Sequence, residues 1–217
     1  QRPEDGILGE EYGETFGSSG LTWVLDPIDG TRSFMSGTPT WGVLIALRDA
    51  AGPFFGLIDQ PYIGERFIGG LGLNTMAGPL GAAALQTRCT RALKDAVLFS
   101  TFPEIGSRAE HTSFQAVAKE VKLVRYGLDC YAYALLAAGQ IDLVIEAGLS
   151  AYDLQAPLAL IAPPGGLVRN AQRRPAHDGG QRIDSTTPEL MAAALPFLPK
   201  VSYKDGRMGA IPMTKTD

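Results

Sequence analysis

Residues 21–26 (LTWVLD), 42–48 (GVLIALR), 54–59 (FFGLID) and 65–69 (ERFIG) are short apolar runs separated by glycine, proline and charge. Runs of this length and punctuation predict strands of a largely antiparallel sheet. A Gly-rich connector over 69–81 follows, and beyond residue 95 the texture changes. Strand patterns at 96–100, 122–126 and 141–146 alternate with helical patterns at 110–119, 130–138 and 154–161. The first of these helices would carry Phe114, Val117 and Ala118 on one face. Such alternation predicts an α/β layer arrangement in the second half. A last helix is expected over 188–195, and the tail after Pro199 carries no pattern. The chain therefore reads as a sheet unit over 1–92 and an α/β unit over 93–217.

Composition narrows the class of function. With 217 residues, 45% of them hydrophobic, the chain can bury a sizeable core. A net charge of -4 gives no reason to expect nucleic acid or an anionic membrane as partner. It does not exclude an anionic substrate, because bound cations reverse the sign of a local site. Two cysteines, Cys89 and Cys130, imply no disulfide framework, so a reduced cytoplasmic setting is expected. No apolar run approaches the roughly 20 residues that span a bilayer. The start at Gln1, close to an acidic cluster, suggests that an amino-terminal stretch is missing.

The most informative string is Asp26-Pro27-Ile28-Asp29-Gly30-Thr31, which follows the run over 21–26. Its first carboxylate would sit at a strand's carboxyl end, and Pro27 and Gly30 favour a tight turn that aims Asp26 and Asp29 at one point. Two close carboxylates repel unless a proton or cation lies between them. Hard oxygen ligands of this kind suit Mg²⁺. Thr31 opens a possible helical turn whose free N–H groups favour a phosphate. The alternative is a surface Asx-turn with an incidental second aspartate. Glu10 and Glu11 lie upstream in Gly9-Glu10-Glu11-Tyr12-Gly13. Downstream, Asp153 begins an apolar helix, where a carboxylate also serves as an N-cap.

Together these residues resemble the inositol monophosphatase family. The six-residue string matches its first signature, and Glu10-Glu11 and Tyr152-Asp153 fall where the family has its remaining acidic ligands. The resemblance runs from about residue 6 to about residue 166. It implies the α/β (α+β) sugar-phosphatase fold, a layered αβαβα sandwich with a mostly antiparallel first sheet and a mixed second one. It also implies a Mg²⁺-dependent, lithium-sensitive phosphomonoesterase, commonly a homodimer, with two or three ions per site. By position, Glu10, Asp26 and the Ile28 carbonyl would hold the first metal, and Asp26, Asp29 and Asp153 the second. Glu10 and Thr31 would orient the attacking water, with Asp29 also in a catalytic role, while the Gly30 and Thr31 amides would bind phosphate. No protein nucleophile is required, consistent with just two histidines, His111 and His177, both expected at the surface.

The histidinol phosphate branch of the family is resembled more closely than the inositol branch. Residues 125–133 (RYGLDCYAY), Asp59-Gln60-Pro61, Gly64-Glu65-Arg66 and Glu146-Ala147-Gly148-Leu149 carry that likeness. Asp129 stands where inositol-specific relatives have a small residue, and Glu146 at a substrate-contact position. Histidinol phosphate carries an ammonium group that an acid would pair with. Arg125, beside Gly127, could contact phosphate or the rim of the site. Asp129 suits a helix cap equally well, and Arg125 a solvated strand end. Cys130 reads as a small buried residue, and Tyr126, Tyr131 and Tyr133 as packing groups. The family's leading helices are absent from this chain, and Ala162-Pro163-Pro164-Gly165-Gly166 replaces an acidic, Gly-rich string. The rival readings are an inositol-1-monophosphatase or broad sugar phosphatase, and an inactive module that binds a small phosphorylated metabolite.

Overall fold

The computed structural model describes residues 2–102, 104, 106–170 and 180–198. Two sheets dominate it. The first has eight strands: β1 (Gly6–Gly9), β2 (Gly13–Thr15), β3 (Thr22–Asp29), β4 (Gly42–Asp49), β5 (Gly52–Gln60), β6 (Glu65–Gly70), β7 (Leu73–Gly78) and β8 (Gly81–Ala84). Their order is β2-β1-β3-β4-β5-β6-β7-β8, antiparallel throughout except for the parallel β1–β3 pair. A short helix, α1 (Thr31–Ser36), interrupts the sheet between β3 and β4. The second sheet has the order β10-β9-β11-β13-β12 and is mixed. Its parallel strands are β9 (Val97–Ser100), β10 (Leu123–Tyr126) and β11 (Leu143–Leu149); β12 (Leu167–Asn170) and β13 (Gly180–Ser185) complete it in antiparallel fashion.

The four longer helices are α2 (Arg108–Ala118), α3 (Cys130–Ala137), α4 (Ala151–Ile161) and α5 (Pro188–Ala194). Strand alternation explains where they pack. In the first sheet, Val24, Leu44, Ala46, Ile58 and Phe67 point one way and join Cys130, Leu136, Ala156 and Leu160 in one core. That core also takes Phe99 and Val144 from the second sheet, so α3 and α4 lie between the two sheets. The neighbouring residues Leu98, Leu143 and Ile145 face the other way and pack with Phe114 and Val117 of α2 and Leu190 and Met191 of α5. The described layers thus run sheet, helix, sheet, helix. The outermost helical layer of the expected sandwich is not among them, and on that side Ile7, Leu25, Val43 and Ile45 line a groove of about 320 Å³.

Most predicted elements are present within a few residues. The segment over 69–81 differs, because it is the tail of β6 followed by β7 and the start of β8. Its small residues lack a hydrophobic alternation, since β8 is exposed throughout and β7 is only partly covered. Strands β1, β2, β12 and β13 are too short or too polar to have been read from the pattern. His111 is half-buried on α2 rather than at the surface, while His177 and the tail lie outside the described residues.

Helix α4 lies nearly on the backbone of the first sheet. A Cβ built on Gly56 would come within 2.2 Å of the Ala156 carbonyl oxygen, and one on Gly69 within 2.6 Å of that of Ala159. Glycine is the residue that lets backbones approach this closely. We predict that Gly56→Ala lowers stability by about 1–3 kcal/mol, the usual cost of overpacking a filled core. Urea unfolding would test this, and an unchanged midpoint would contradict such tight packing.

Candidate functional site

Asp26 and Asp29 are aimed by a break in strand register. Asp26 pairs with Leu44 but Asp29 with Gly42, so β3 carries one extra residue between them. This is a β-bulge, a device that re-aims side chains beside functional sites. It replaces the tight turn expected from Pro27 and Gly30, because pairing continues to Asp29 before the chain turns at Gly30. Asp26 is buried and accepts a 3.0 Å hydrogen bond from the Ile28 N–H. Asp29, half-buried, accepts one of 2.7 Å from the N–H of Cys130, the first residue of α3. The Cys130 thiol also hydrogen-bonds Asp29, and burial keeps that thiol protonated by raising its pKa well above the usual range.

Asp153 arrives from the other side. It is the third residue of α4, not its cap; that position belongs to Ser150, whose N–H donates 2.7 Å to the Asp153 carboxylate. One carboxylate oxygen from each of Asp26, Asp29 and Asp153 lies within 4.8 Å of the others. Two full charges about 4 Å apart repel by about 4 kcal/mol at an effective dielectric of about 20. Accordingly, burial first, then repulsion from Asp29, Glu10 and Asp153, pushes Asp26 up to about 8. Burial chiefly lifts Asp29 to about 7, against the pull of Cys130. A donor set of carboxylate oxygens is the type a hard divalent cation takes.

Glu10, just past β1, is exposed at the edge of this trio and within electrostatic reach of Asp26. The Thr31 hydroxyl donates to the Ile28 carbonyl at 3.3 Å, so two further predicted residues are in contact. Gly30 has φ 80°, and a Cβ there would sit 2.8 Å from the Asp129 carboxyl carbon. Conformation and space both require glycine at that point. Arg125, by contrast, is exposed on the edge strand β10 and is not gathered with the acids.

Asp129 precedes α3 but does not cap it with its side chain. Its carboxylate instead accepts a 2.5 Å hydrogen bond from Ser33 of α1. Thr40 lies within reach of the Ser33 hydroxyl at 3.2 Å and of the Gly127 carbonyl at 3.3 Å. Arg32, over the Phe102 ring at 5.0 Å, also faces Asp129 electrostatically. Burial nevertheless leaves the Asp129 carboxyl raised. Its backbone has φ 47° and ψ -137°, a conformation that costs a non-glycine residue about 1–3 kcal/mol.

Glu146 lies on β11 and is only 2% exposed. One oxygen accepts from the Thr101 N–H at 2.6 Å and the Thr101 hydroxyl at 2.9 Å; the other has no partner among the described residues. Burial, with smaller contributions from Asp129 and Asp29, pushes Glu146 up to about 8. Ser33, Thr101, Arg32 and the Cys130 thiol were not singled out by sequence reasoning. Ser33 and Asp129 are 96 positions apart, and neither stands in a pattern that announces the contact.

Fold and site together define a layered α+β protein with a carboxylate-rich candidate metal centre where the first sheet meets the buried helices. The chain belongs to the inositol monophosphatase family, whose model matches residues 1–201. It is 45% identical over 168 residues to the chloroplastic bifunctional phosphatase IMPL2 of Arabidopsis thaliana, covering 76% of this chain and 48% of that protein. It is 31% identical to a histidinol-phosphatase of Mycobacterium tuberculosis, over 84% of this chain and 71% of the relative. An inositol-1-monophosphatase of Mesorhizobium japonicum is 36% identical over 83% of this chain and 66% of its own length. Among solved structures, an inositol monophosphatase from Zymomonas mobilis superposes with a TM-score of 0.82 at 36% identity, covering 91% of this chain and 76% of that one. The chain thus spans about half the length of the Arabidopsis relative. No helix among the described residues is long and apolar enough to cross a membrane.

The buried Glu146 gives a pH prediction. Its folded value of about 8 exceeds its ordinary 4.5, so the folded state holds this proton longer than the unfolded chain does. Stability from this group is therefore present at low pH and falls as pH rises through that window. Urea midpoints should show wild type losing stability relative to Glu146→Gln between about pH 5 and about pH 8. Parallel profiles for the two proteins would mean that Glu146 is ionised throughout.

Proposed function

We propose that the chain is a Mg²⁺-dependent phosphomonoesterase, and that its substrate is L-histidinol phosphate, hydrolysed to L-histidinol and phosphate. The observation that carries the reading is the convergence of Asp26, Asp29 and Asp153 within 4.8 Å, a trio that suits a hard divalent cation. Those three residues, with Glu10 and the Ile28 carbonyl, would hold two or three Mg²⁺ ions. When bound, the ions supply charge to a phosphate group and acidify water.

The chain's own residues would do the rest. Glu10, exposed beside the trio, would take the proton of the attacking water, with Thr31 orienting that water. The Gly30 and Thr31 amides would receive the phosphate oxygens. Glu146 would meet the cationic end of the substrate. Its Thr101 bonds fix one oxygen and leave the other for a ligand donor. Burial keeps the free Glu146 carboxyl protonated at neutral pH; an ammonium would favour release of that proton to solvent and pair with the carboxylate, in a charge-assisted bond about twice as strong as one from a neutral hydroxyl. This favours histidinol phosphate over a neutral polyol phosphate. Relatives of both kinds keep inositol 1-phosphate as the second reading.

Two experiments test the proposal. Asp26→Asn should abolish calorimetric Mg²⁺ binding and lower phosphate release by on the order of 100-fold or more, since even outer partners of metal ligands cost 10- to 100-fold. Retained Mg²⁺ binding in that variant would remove the trio from the site. The second is a comparison of kcat/KM on histidinol phosphate, inositol 1-phosphate and β-glycerophosphate, with Mg²⁺ and after chelation. Histidinol phosphate should lead, and Glu146→Gln should raise its KM by about 10- to 100-fold, the worth of a charge-assisted hydrogen bond. A preference for inositol 1-phosphate would overturn the substrate. Tight binding with no turnover of any ester would favour a metabolite-binding module.

A further inference from the structure

We propose that Asp129 is a positioning residue: its carboxylate locks the segment from Gly30 to Ser33 against the start of α3, and it does not serve as the substrate's counter-ion. Three observations carry this. First, the carboxylate is already engaged, by the Ser33 hydroxyl at 2.5 Å and electrostatically by Arg32. Second, its neighbour Cys130 binds Asp29 through its N–H at 2.7 Å, so two consecutive residues grip the same loop at both ends of Asp29–Ser33. Third, Asp129 holds φ 47°, a region that L side chains rarely adopt, and Gly30 leaves just the room that the carboxylate fills. A strained residue persists where surrounding contacts over-determine it. Here the strain turns the side chain off its own helix and toward α1. The Thr40 hydroxyl, between Ser33 and the Gly127 carbonyl, ties the other end of this turn to the same place.

Asp29 and the Gly30 and Thr31 amides belong to that loop, so its placement bears on every phosphomonoester alike. A counter-ion to the ligand's ammonium would bear on histidinol phosphate alone. Three variants separate the two roles. Ser33→Ala removes the donor. Asp129→Gly removes the carboxylate without the backbone strain that alanine would retain. Asp129→Asn loses the charge, keeps an acceptor for Ser33 and matches aspartate in shape, so it adds no new backbone strain. Ser33→Ala and Asp129→Gly should lower kcat on histidinol phosphate and β-glycerophosphate by a common factor, about 10- to 100-fold for a displaced reacting geometry, with KM little changed. Asp129→Asn should recover most of that loss. Hydrogen exchange read on the peptide over 27–36 should quicken in Ser33→Ala and Asp129→Gly and return toward wild type in Asp129→Asn.

A KM rise confined to histidinol phosphate in both Asp129 variants, with Ser33→Ala silent, would overturn the proposal. So would unchanged exchange over 27–36 in Ser33→Ala and Asp129→Gly. Should Asp129→Gly not fold by circular dichroism, Ser33→Ala and Asp129→Asn still decide between the outcomes. The kinetic arm rests on the phosphatase reading. The exchange arm does not, so a chain with no turnover but a loosened loop would sink that reading and keep this one.

Discussion

The mutual repulsion of three carboxylates is the constraint around which the rest of the molecule is arranged. Left to themselves, Asp26, Asp29 and Asp153 would separate into water; instead, oxygens from all three are kept within 4.8 Å. Each is restrained by a nearby backbone N–H: from Ile28, from Cys130 and from Ser150. One such bond fixes a carboxylate's position without satisfying all its lone pairs, so acceptor capacity remains facing the others. The two residues from β3 hold their protons to higher pH than ordinary aspartates, through burial first and then through the neighbouring carboxylates. A divalent cation relieves that repulsion, and its binding would stabilise the folded state by mass action.

Holding the trio requires both halves of the structure. Asp26 and Asp29 come from the bulged end of β3, and Asp153 from the first turn of α4, which lies between the sheets. The near contact of α4 with β5 and β6, possible because Gly56 and Gly69 bear no side chain, sets how far the Asp153 carboxylate reaches toward β3. Helix α3 adds the third fixed point through Cys130. The large buried residues, Leu44, Ile58, Phe67, Leu136 and Leu160, fill the space among these elements. Their packing supports the elements on which the hydrogen bonds to Asp26, Asp29, Asp153 and Asp129 then fix the site.

The sequence discloses this arrangement unevenly, and for physical reasons. Long strands such as β3, β4 and β5 bury one face, so their alternation is written in the residues. Strands β7 and β8 bury little and, apart from Leu73 and Met76, use Gly, Ala, Thr and Asn, which leaves no periodic signal. An Asp-Pro-x-Asp-Gly string by itself suits an ordinary surface turn; its likeness to a family signature is what singled out Asp26, Asp29 and Asp153, which lie together in the structure. The string's local geometry was not legible: proline and glycine announced a turn, and the pairing of Asp29 with Gly42 made a bulge instead. The contacts made by Ser33, Thr101 and the Cys130 N–H join positions 45 to 101 residues apart, and no spacing rule reaches across such separations. Cys130 was correctly placed as buried, but its burial serves Asp29 as well as the core.

The two acids flanking the trio look interchangeable in the sequence and are opposites in the structure. Asp129 has its charge faced by Arg32 and its oxygen taken by Ser33, and its backbone is bent out of the ordinary to reach them. Glu146 sits in relaxed strand geometry, held by Thr101 on one oxygen alone, with the other buried and unmatched. A buried acceptor without a partner costs about 1–3 kcal/mol, so a fold retains one where something else supplies the donor. Strain sets Asp129 apart as a residue held by its surroundings, whereas the second Glu146 oxygen, beside the acidic trio, is left open to a group from outside the described residues. On that distinction, the proposed choice among phosphorylated substrates would fall to Glu146, and the shape of the loop proposed to receive the phosphate to Asp129.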